Sequence, residues 1–549
     1  MLLAECRNLK KSYGDRLILD IEHLRIYDQD RIGIVGANGA GKTTLLNLLS
    51  QKIEPDEGWV KLYGTCSRIS QLVPPEEKTI RQEMASAFKV HHTYRESMSG
   101  GEKTRFKLAA SLSQNPAILF ADEPTSNMDM EGIQLVETSL AQFSGALVLI
   151  SHDRDLLDSL CTKIIEIEGG KIKTYSGNYS EYMKQKQEER ELAQFEYEQY
   201  VKEKKRLERA ILSTRERVKT MRKTPRRMGN SEARLHKMGN QKAKAALDRA
   251  IKNMEERIRH LEVKESPPNI EKIRLDIGDV QKIYSKVIIE GNGLNKSFGD
   301  KVIFQDARFQ LENGAKAGLI GPNGCGKSTL LKMILNREPP IKIAPNARIG
   351  YFSQELSILE EDKCILDNVM AESVYEENFV RILLGRLLFK GDSVYKKVGV
   401  LSGGERVKAS FAKIICSGFN LLILDEPTNY LDLPSLEAVE EVLREYEHTL
   451  LFVSHDRRLI HSLANQIMII EDRKIQTFKG SYEEYLAGRT EAGDRTKERI
   501  EEEILRLETR LTEVISKISM PSKKDDPELL EAEYRELSGQ IRRLKQLLE

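Results

Sequence analysis

Tryptophan is almost missing from this 549-residue chain, with a single copy, and aromatic residues together make up only 6%. Cysteine is scarce as well. The six thiols (Cys6, Cys66, Cys161, Cys325, Cys364 and Cys416) are scattered, with no CxxC pair. That argues against a disulfide framework and a cysteine zinc site, and suits reduced, mostly buried thiols in a cytosolic protein. Long apolar runs are absent: Ala146 to Ile150 and Leu421 to Leu424 fall far short of the roughly 20 residues a bilayer span needs. Any transport role would therefore require a separate membrane subunit. Charge appears too early in Met1 to Arg7 for a signal sequence. Neither sign of charge dominates, since 86 basic residues face 85 acidic ones, so partners must be read from local charge. Proline and glycine are dispersed through a chain that is 40% apolar, which excludes a fibrous or wholly disordered protein and allows two or three domains with proper cores.

What the chain does have is an internal repeat. Gly36-Ala37-Asn38-Gly39-Ala40-Gly41-Lys42-Thr43 returns as Gly321-Pro322-Asn323-Gly324-Cys325-Gly326-Lys327-Ser328. Tyr13 matches Phe298 and Lys42 matches Lys327 at an offset of 285, whereas Ser99 and Ser402, Asp122 and Asp425, and His152 and His455 match at 303. Gln71 matches Gln354 at 283, so the large jump falls between the glutamines and the serines. That interval is 28 residues in the first copy and 48 in the second, so the first copy is reduced there. The repeat predicts an α/β protein with two tandem nucleotide-binding domains, at 1–183 and 286–487.

The chemistry in each copy is that of phosphate. Glycines let backbone N–H groups approach the phosphates, and the loop opens a helix whose N-terminus favours anions. Lys42 and Lys327 suit the β- and γ-phosphates, with Thr43 and Ser328 on Mg²⁺. Gly36, Asn38, Gly39, Gly41 and Thr44, with Gly321, Asn323, Gly324, Gly326 and Thr329, complete the two loops. The apolar strands Ala117 to Ala121 and Leu421 to Leu424 end in Asp122-Glu123 and Asp425-Glu426. A parallel strand delivers such terminal acids to the sheet edge where the phosphate loop lies. The aspartates are expected on Mg²⁺ through water, and the glutamates are expected to polarise the attacking water. Ser99-Gly100-Gly101 and Ser402-Gly403-Gly404 each open a helix, 23 residues before the aspartate in both copies.

Two further segments lie outside the repeat. Leu207, Ile211, Val218 and Met221, a break at Pro225 and Gly229, then Leu247, Ile251, Met254, Ile258 and Leu261 read as a long antiparallel helical hairpin over 184–285. Residues 215 to 244 hold eleven basic side chains against Glu216 and Glu232. A solvated coiled coil is the plain reading of a charge run, yet it does not explain why one sign gathers at the far end. The tip near 222–240, with Arg222, Lys223, Arg226, Arg227, Met228, Arg234, Leu235 and Lys237, suits entry between phosphate backbones of nucleic acid. A second helical hairpin is expected over 488–549, from Ile500, Ile504, Leu507, Leu511, Val514 and Ile518 followed by Leu530, Tyr534, Leu537, Ile541, Leu544 and Leu548.

These motifs resemble the ATP-binding cassette superfamily. The resemblance implies that Gln71 and Gln354 are Q-loop glutamines near Mg²⁺, and that His152 and His455 contact the γ-phosphate. It also implies that Tyr13 and Phe298 stack on adenine, and that each Ser-Gly-Gly signature completes the opposite site: Lys42 with Ser402 to Gly404, and Lys327 with Ser99 to Gly101. The loops Ser126-Asn127-Met128-Asp129 and Asn429-Tyr430-Leu431-Asp432 differ, which suggests unequal sites. Tandem cassettes with a large charged linker resemble the ABC-F family across essentially the whole chain. The short first interval, extended linker and C-terminal hairpin resemble its antibiotic-resistance members of the Vga and VmlR types. By that resemblance the protein is a cytoplasmic ATPase, monomeric with intramolecular pairing of its cassettes. It would use two ATP with Mg²⁺ and no other metal, and it would bind the ribosome, with 23S rRNA and peptidyl-site tRNA as contacts and no membrane partner. It would counter lincosamides, pleuromutilins and streptogramin A. The rival readings are an ABC-F translation factor without drug protection, a transporter's energising subunit and a chromosome-structuring ATPase.

Overall fold

In the computed structural model the described residues are 1–70, 75, 78–126, 128–220, 230–261, 283–353, 358–389, 391–489, most of 504–515, and 527–548; side chains of 230–241 are not included. Two copies of one α/β architecture are joined by long helices. The first six-stranded sheet runs in the order Cys66–Ile69, Ile118–Asp122, Ala146–Ile150, Arg31–Gly36, Lys163–Glu168, Lys171–Ser176. All its pairings are parallel except the last. The second sheet repeats this as Ile349–Phe352, Leu421–Asp425, Thr449–Val453, Lys316–Ile320, Gln466–Glu471, Lys474–Lys479. Strands covered on both faces read as continuous apolar runs, and Ile118–Asp122, Ala146–Ile150, Leu421–Asp425 and Thr449–Val453 are buried along their whole length. Each phosphate loop leaves a strand with parallel neighbours on both sides, Arg31–Gly36 or Lys316–Ile320, and enters a helix, Lys42–Leu49 or Lys327–Leu335.

A three-stranded antiparallel sheet backs each core, in the order Arg16–Tyr27, Leu2–Tyr13, Glu57–Leu62 in the first copy and Lys301–Glu312, Val287–Phe298, Ile341–Ile343 in the second. Between the glutamine and signature positions the first copy has one short described helix, Gln82–Ala87. The second has Ile365–Met370, Glu377–Arg386 and the 3₁₀ turns Gly391–Tyr395 and Val398–Val400. Twenty additional residues there thus become an additional small helical layer.

The outgoing interdomain helix, Tyr179–Thr220, begins before the boundary expected at 183. Tyr179 and Tyr182 are buried in the first cassette's own core, so that helix is anchored rigidly at its base. The returning helix is Asn230–His260. Leu207 and Ile211 are buried with Ile251 along the expected seam, while Val218 and Leu247 are half-buried nearer the far end. Arg215 pairs with Glu255 at 2.7 Å across the two helices. In the C-terminal segment Ile504, Val514, Leu537 and Ile541 are buried, and Lys545 Nζ reaches Glu508 at 2.8 Å. Among the described residues no helix is long and apolar enough to cross a membrane.

Candidate functional site

In both copies the phosphate loop ends at a glycine in the left-handed region, Gly41 at φ 101° and Gly326 at φ 114°. A Cβ on Gly41 would lie 2.8 Å from Ile18 Cγ2, so both backbone angle and space demand glycine there. The following lysine folds back over its own loop. Lys42 Nζ donates to Gly36 O at 2.7 Å and Ala37 O at 3.1 Å. Lys327 Nζ donates to Gly321 O at 2.7 Å and Pro322 O at 3.2 Å. Burial draws the Lys42 ammonium below the usual lysine range, which favours an anionic partner beside it.

The acidic pairs sit where the parallel strands end. Asp122 is hydrogen-bonded to Thr43, and Asp425 to Ser328. A hydroxyl beside one carboxylate is an oxygen donor set that fits Mg²⁺, which completes its shell with waters and substrate phosphates. Among the described residues there is no cluster of three His, Cys, Asp or Glu side chains for a closed metal cage.

Glu123 and Glu426 occupy left-handed backbone, at φ 52° and 51°. Their N–H groups donate to Ile150 O at 2.9 Å and Val453 O at 3.0 Å, on the strand leading to each histidine. A non-glycine residue in that region persists only when its surroundings hold it. Burial pushes both glutamate carboxyls up to about 8 and pulls both His152 and His455 down to about 4. Glutamate and histidine face each other at 3.5 Å in the first copy and 3.4 Å in the second. Glu123 Oε1 and His152 Nδ1 are buried with no hydrogen-bond partner, polar capacity directed into a site built to hold something polar.

The two copies close on each other. Asn38 N–H donates to Asp432 at 2.7 Å, and Asn323 N–H donates to Asp129 at 3.2 Å. Asn38 Nδ2 also donates to Tyr430 O at 3.1 Å, and it lies 3.5 Å from the Cβ position of Gly404. The first phosphate loop therefore meets the second copy's signature helix. A cavity of about 960 Å³ runs through the interface, lined by Phe298, Lys327, Ser328, Asp425, Glu426 and His455 of the second copy and by Asn38, Glu123 and His152 of the first. Ser402, Gly403 and Gly404 line it as well, whereas Ser99, Gly100 and Gly101 do not. Both serines cap their helices, each accepting from the glutamate N–H three residues on within a capping box. Tyr13 and Phe298 are exposed at the ends of their strands, open to a planar ligand.

Gln71, Gln354, Arg222, Lys223, Arg226, Arg227 and Met228 lie outside the described residues. Arg234, Leu235 and Lys237 fall on the returning helix without described side chains. The loops containing Asp129 and Asp432 stand out in the sequence, but their role as acceptors for the opposite phosphate loop emerges only in the structure. Their equivalence at the 303 offset was the available signal. The ion pairs across the interface, Arg154 with Glu440 at 2.7 Å and Arg457 with Glu137 at 3.1 Å, emerge only in the structure as well.

Comparison with known proteins places this geometry. A family model described as ABC transporter matches residues 19–95, 77–126 and 304–429, and a second with the same description matches 165–251. The chain is 31% identical to the ribosome protection protein VmlR of Bacillus subtilis, over 98% of this chain and 97% of that one. It is 34% identical to the erythromycin resistance ATP-binding protein MsrA of Staphylococcus epidermidis, over 82% and 93%. It is 30% identical to ABC transporter F family member 5 of Arabidopsis thaliana, over 95% and 81%. Among solved structures, the archaeal ribosome recycling factor aABCE1, in complex with the ribosomal stalk protein aP1, shares the fold at a TM-score of 0.59 and 19% identity, covering 88% of this chain and 92% of its own. With two complete cassettes and relatives matched nearly end to end, this chain belongs to the ABC-F family and is an ATPase.

Proposed function

We propose that the protein is a ribosome-protection ATPase. In its ATP-bound, closed form it enters the ribosomal exit site, contacts 23S rRNA and peptidyl-site tRNA, and relieves inhibition by drugs of the peptidyl transferase centre. Hydrolysis then releases it to the cytoplasm. The observation that carries this reading is the near end-to-end match, at 31% identity, to a protein named for ribosome protection. The base of the outgoing helix supplies a mechanical link. Tyr179 Oη donates to Glu437 of the second cassette at 2.8 Å, and Arg458 of that cassette donates to Ser180 Oγ at 3.0 Å. Closure of the cassettes therefore pulls directly on the helix that carries the basic segment.

At each site the geometry supports a proposed role for each group. Backbone N–H groups of the phosphate loop, with Lys42 or Lys327, bind the β- and γ-phosphates, and Tyr13 or Phe298 stacks on adenine. Thr43 with Asp122, and Ser328 with Asp425, would hold Mg²⁺, which when bound neutralises charge on the phosphates. Glu123 or Glu426 orients the attacking water and takes its proton as the bond to the γ-phosphorus forms and the bond to the bridging oxygen breaks. A carboxyl raised by burial is a stronger base once ionised than an ordinary one. His152 or His455, neutral at pH 7, keeps a ring N–H for a γ-phosphate oxygen.

The Glu123→Gln, Glu426→Gln double variant is expected to bind ATP and co-sediment with ribosomes while turning over poorly; sedimentation free of ribosomes in ATP would overturn the reading. Expression of the wild-type chain is expected to raise inhibitory concentrations of lincosamides, pleuromutilins or streptogramin A. Ribosome binding with no rise for any of them would leave an ABC-F translation factor without drug protection. Co-purification with membrane subunits in place of ribosomes would point to a transporter's ATPase.

A further inference from the structure

The duplicated cassettes permit a comparison of equivalent positions within one molecule, and one pair of differences lies beside the aspartates. In the first sheet Arg68 pairs with Phe120, two residues before Asp122. In the second, Tyr351 pairs with Ile423, two residues before Asp425. Phe120 and Ile423 are equivalent at the 303 offset, so Arg68 and Tyr351 occupy the same place. On the helix after the phosphate loop, Asn47 and Lys332 are equivalent at 285. The first copy has Arg68 with Asn47, and the second has Tyr351 with Lys332. The cation has changed elements, from helix to strand.

Its environment changes as well. The Arg68 side chain is buried, Nη1 donates to Asn47 Oδ1, and Nη2 lies 3.6 Å from Asp122 Oδ2. Its Nε is buried without a hydrogen-bond partner, and among the described residues Asn47 and the aspartate hold the rest of the guanidinium. Lys332 is exposed on its helix, where water weakens and blurs its influence. A fixed, desolvated guanidinium against a carboxylate is a stronger and more directional neutraliser than a mobile ammonium in solvent.

We propose that Arg68 is a positioning residue that makes the two nucleotide sites unequal in their demand for divalent cation. Without Mg²⁺, the γ-phosphate at the second site faces an Asp425 carboxylate that is offset, beyond Lys327 of its own loop, by the exposed Lys332. At the first site Arg68 already offsets Asp122, so nucleotide is retained with much less dependence on free Mg²⁺. This rests on the assignment of Lys42 and Lys327 to the two ATP sites under the proposed function.

The test isolates each site in the full-length chain. Lys327→Ala leaves the first site and Lys42→Ala leaves the second; a fluorescent ATP analogue is titrated against each in Mg²⁺ and in EDTA. Loss of binding to both sites in the Lys42→Ala, Lys327→Ala double variant checks the site assignment itself, separately from the role of Arg68. The expected result is a ratio of dissociation constants, EDTA over Mg²⁺, roughly tenfold smaller at the first site than at the second. In the Lys327→Ala background, Arg68→Tyr should raise that ratio toward the second site's value, and Arg68→Tyr with Asn47→Lys should reproduce it. Arg68→Lys, which keeps the charge and guards against loss of folding in the tyrosine variant, should leave the ratio closer to wild type than to that of Arg68→Tyr. Equal ratios at the two sites, or an Arg68→Tyr loss of the same size with and without Mg²⁺, would show a packing role only and overturn the proposal.

Discussion

At the scale of single residues, the glutamates after the two buried strands carry the clearest consequences. Glu123→Gln with Glu426→Gln removes a base from each site, and steady-state ATP turnover is expected to fall by roughly a hundredfold or more. The same substitutions alter the pH dependence of folding. A carboxyl near 8 when folded and near its ordinary value when unfolded binds more protons in the native state across that interval. Its contribution to stability therefore falls as pH rises toward 8. The histidines, lowered to about 4, act in the opposite sense and stop contributing above the ordinary histidine range. Between about pH 6.5 and 8 only the glutamate contribution remains, so thermal denaturation of nucleotide-free protein should show Tm falling in the wild type and a flatter profile in the double glutamine variant. An equal slope in the two proteins would contradict the assignment of these buried carboxyls.

At the scale of elements, the interdomain helices depend on a narrow seam. Leu207, Ile211 and Ile251 are buried there, with the Arg215–Glu255 pair further out. Exposed ion pairs of that kind contribute little, so apolar contact dominates. Ile211→Ala is expected to cost about 2 kcal/mol locally and to raise amide exchange along residues 204–220 and 247–257, while ATP turnover stays near wild type. Faster exchange spread through both cassettes instead would mean that the helices are not a separate cooperative unit. The Tyr179 and Tyr182 rings, buried in the first cassette core, explain why loosening should begin beyond the base of the outgoing helix.

At the scale of the whole molecule, the interface shows how two copies of one architecture pair with each other and not with themselves. Arg154–Glu440 and Arg457–Glu137 are the same pair seen from the two sides, at 2.7 and 3.1 Å. Asp155 and Arg458 are also equivalent positions, and they meet each other at 2.9 Å. Two first cassettes would place like charge against like charge at this point, as would two second cassettes. Asp155→Arg should therefore weaken nucleotide-driven closure, and Asp155→Arg with Arg458→Asp should restore much of it, measured by small-angle scattering of the ATP-bound glutamine variant. Failure of the exchanged pair to recover compactness would show that Arg458 acts through Asp158 and Ser180, which it also contacts. Among the described residues, Glu440→Ala leaves the buried Arg154 with one acidic partner, Asp456 at 3.4 Å. Removal of one partner from a buried pair costs about 3 kcal/mol, to be read as a lower Tm of the closed form.

Much of this protein is written locally in its chain. Phosphate loops, strand-terminal acids and capping serines are contiguous patterns whose geometry follows from backbone hydrogen bonding and burial, so Gly41, Lys42, Asp122 and Glu123 lie where their spacing implies. The internal repeat did the same for architecture, because a second copy of a foldable sequence meets the same local rules. Pairing between distant segments has no such local rule. That Asn38 meets Asp432 and that Asp155 opposes Arg458 depend on how two finished cores dock. Those contacts join residues hundreds of positions apart, and their energies come from desolvation and complementary charge at a surface that exists only after folding. An ATPase of two cassettes is therefore legible in the chain itself, whereas the way they close comes from surfaces that packing alone creates.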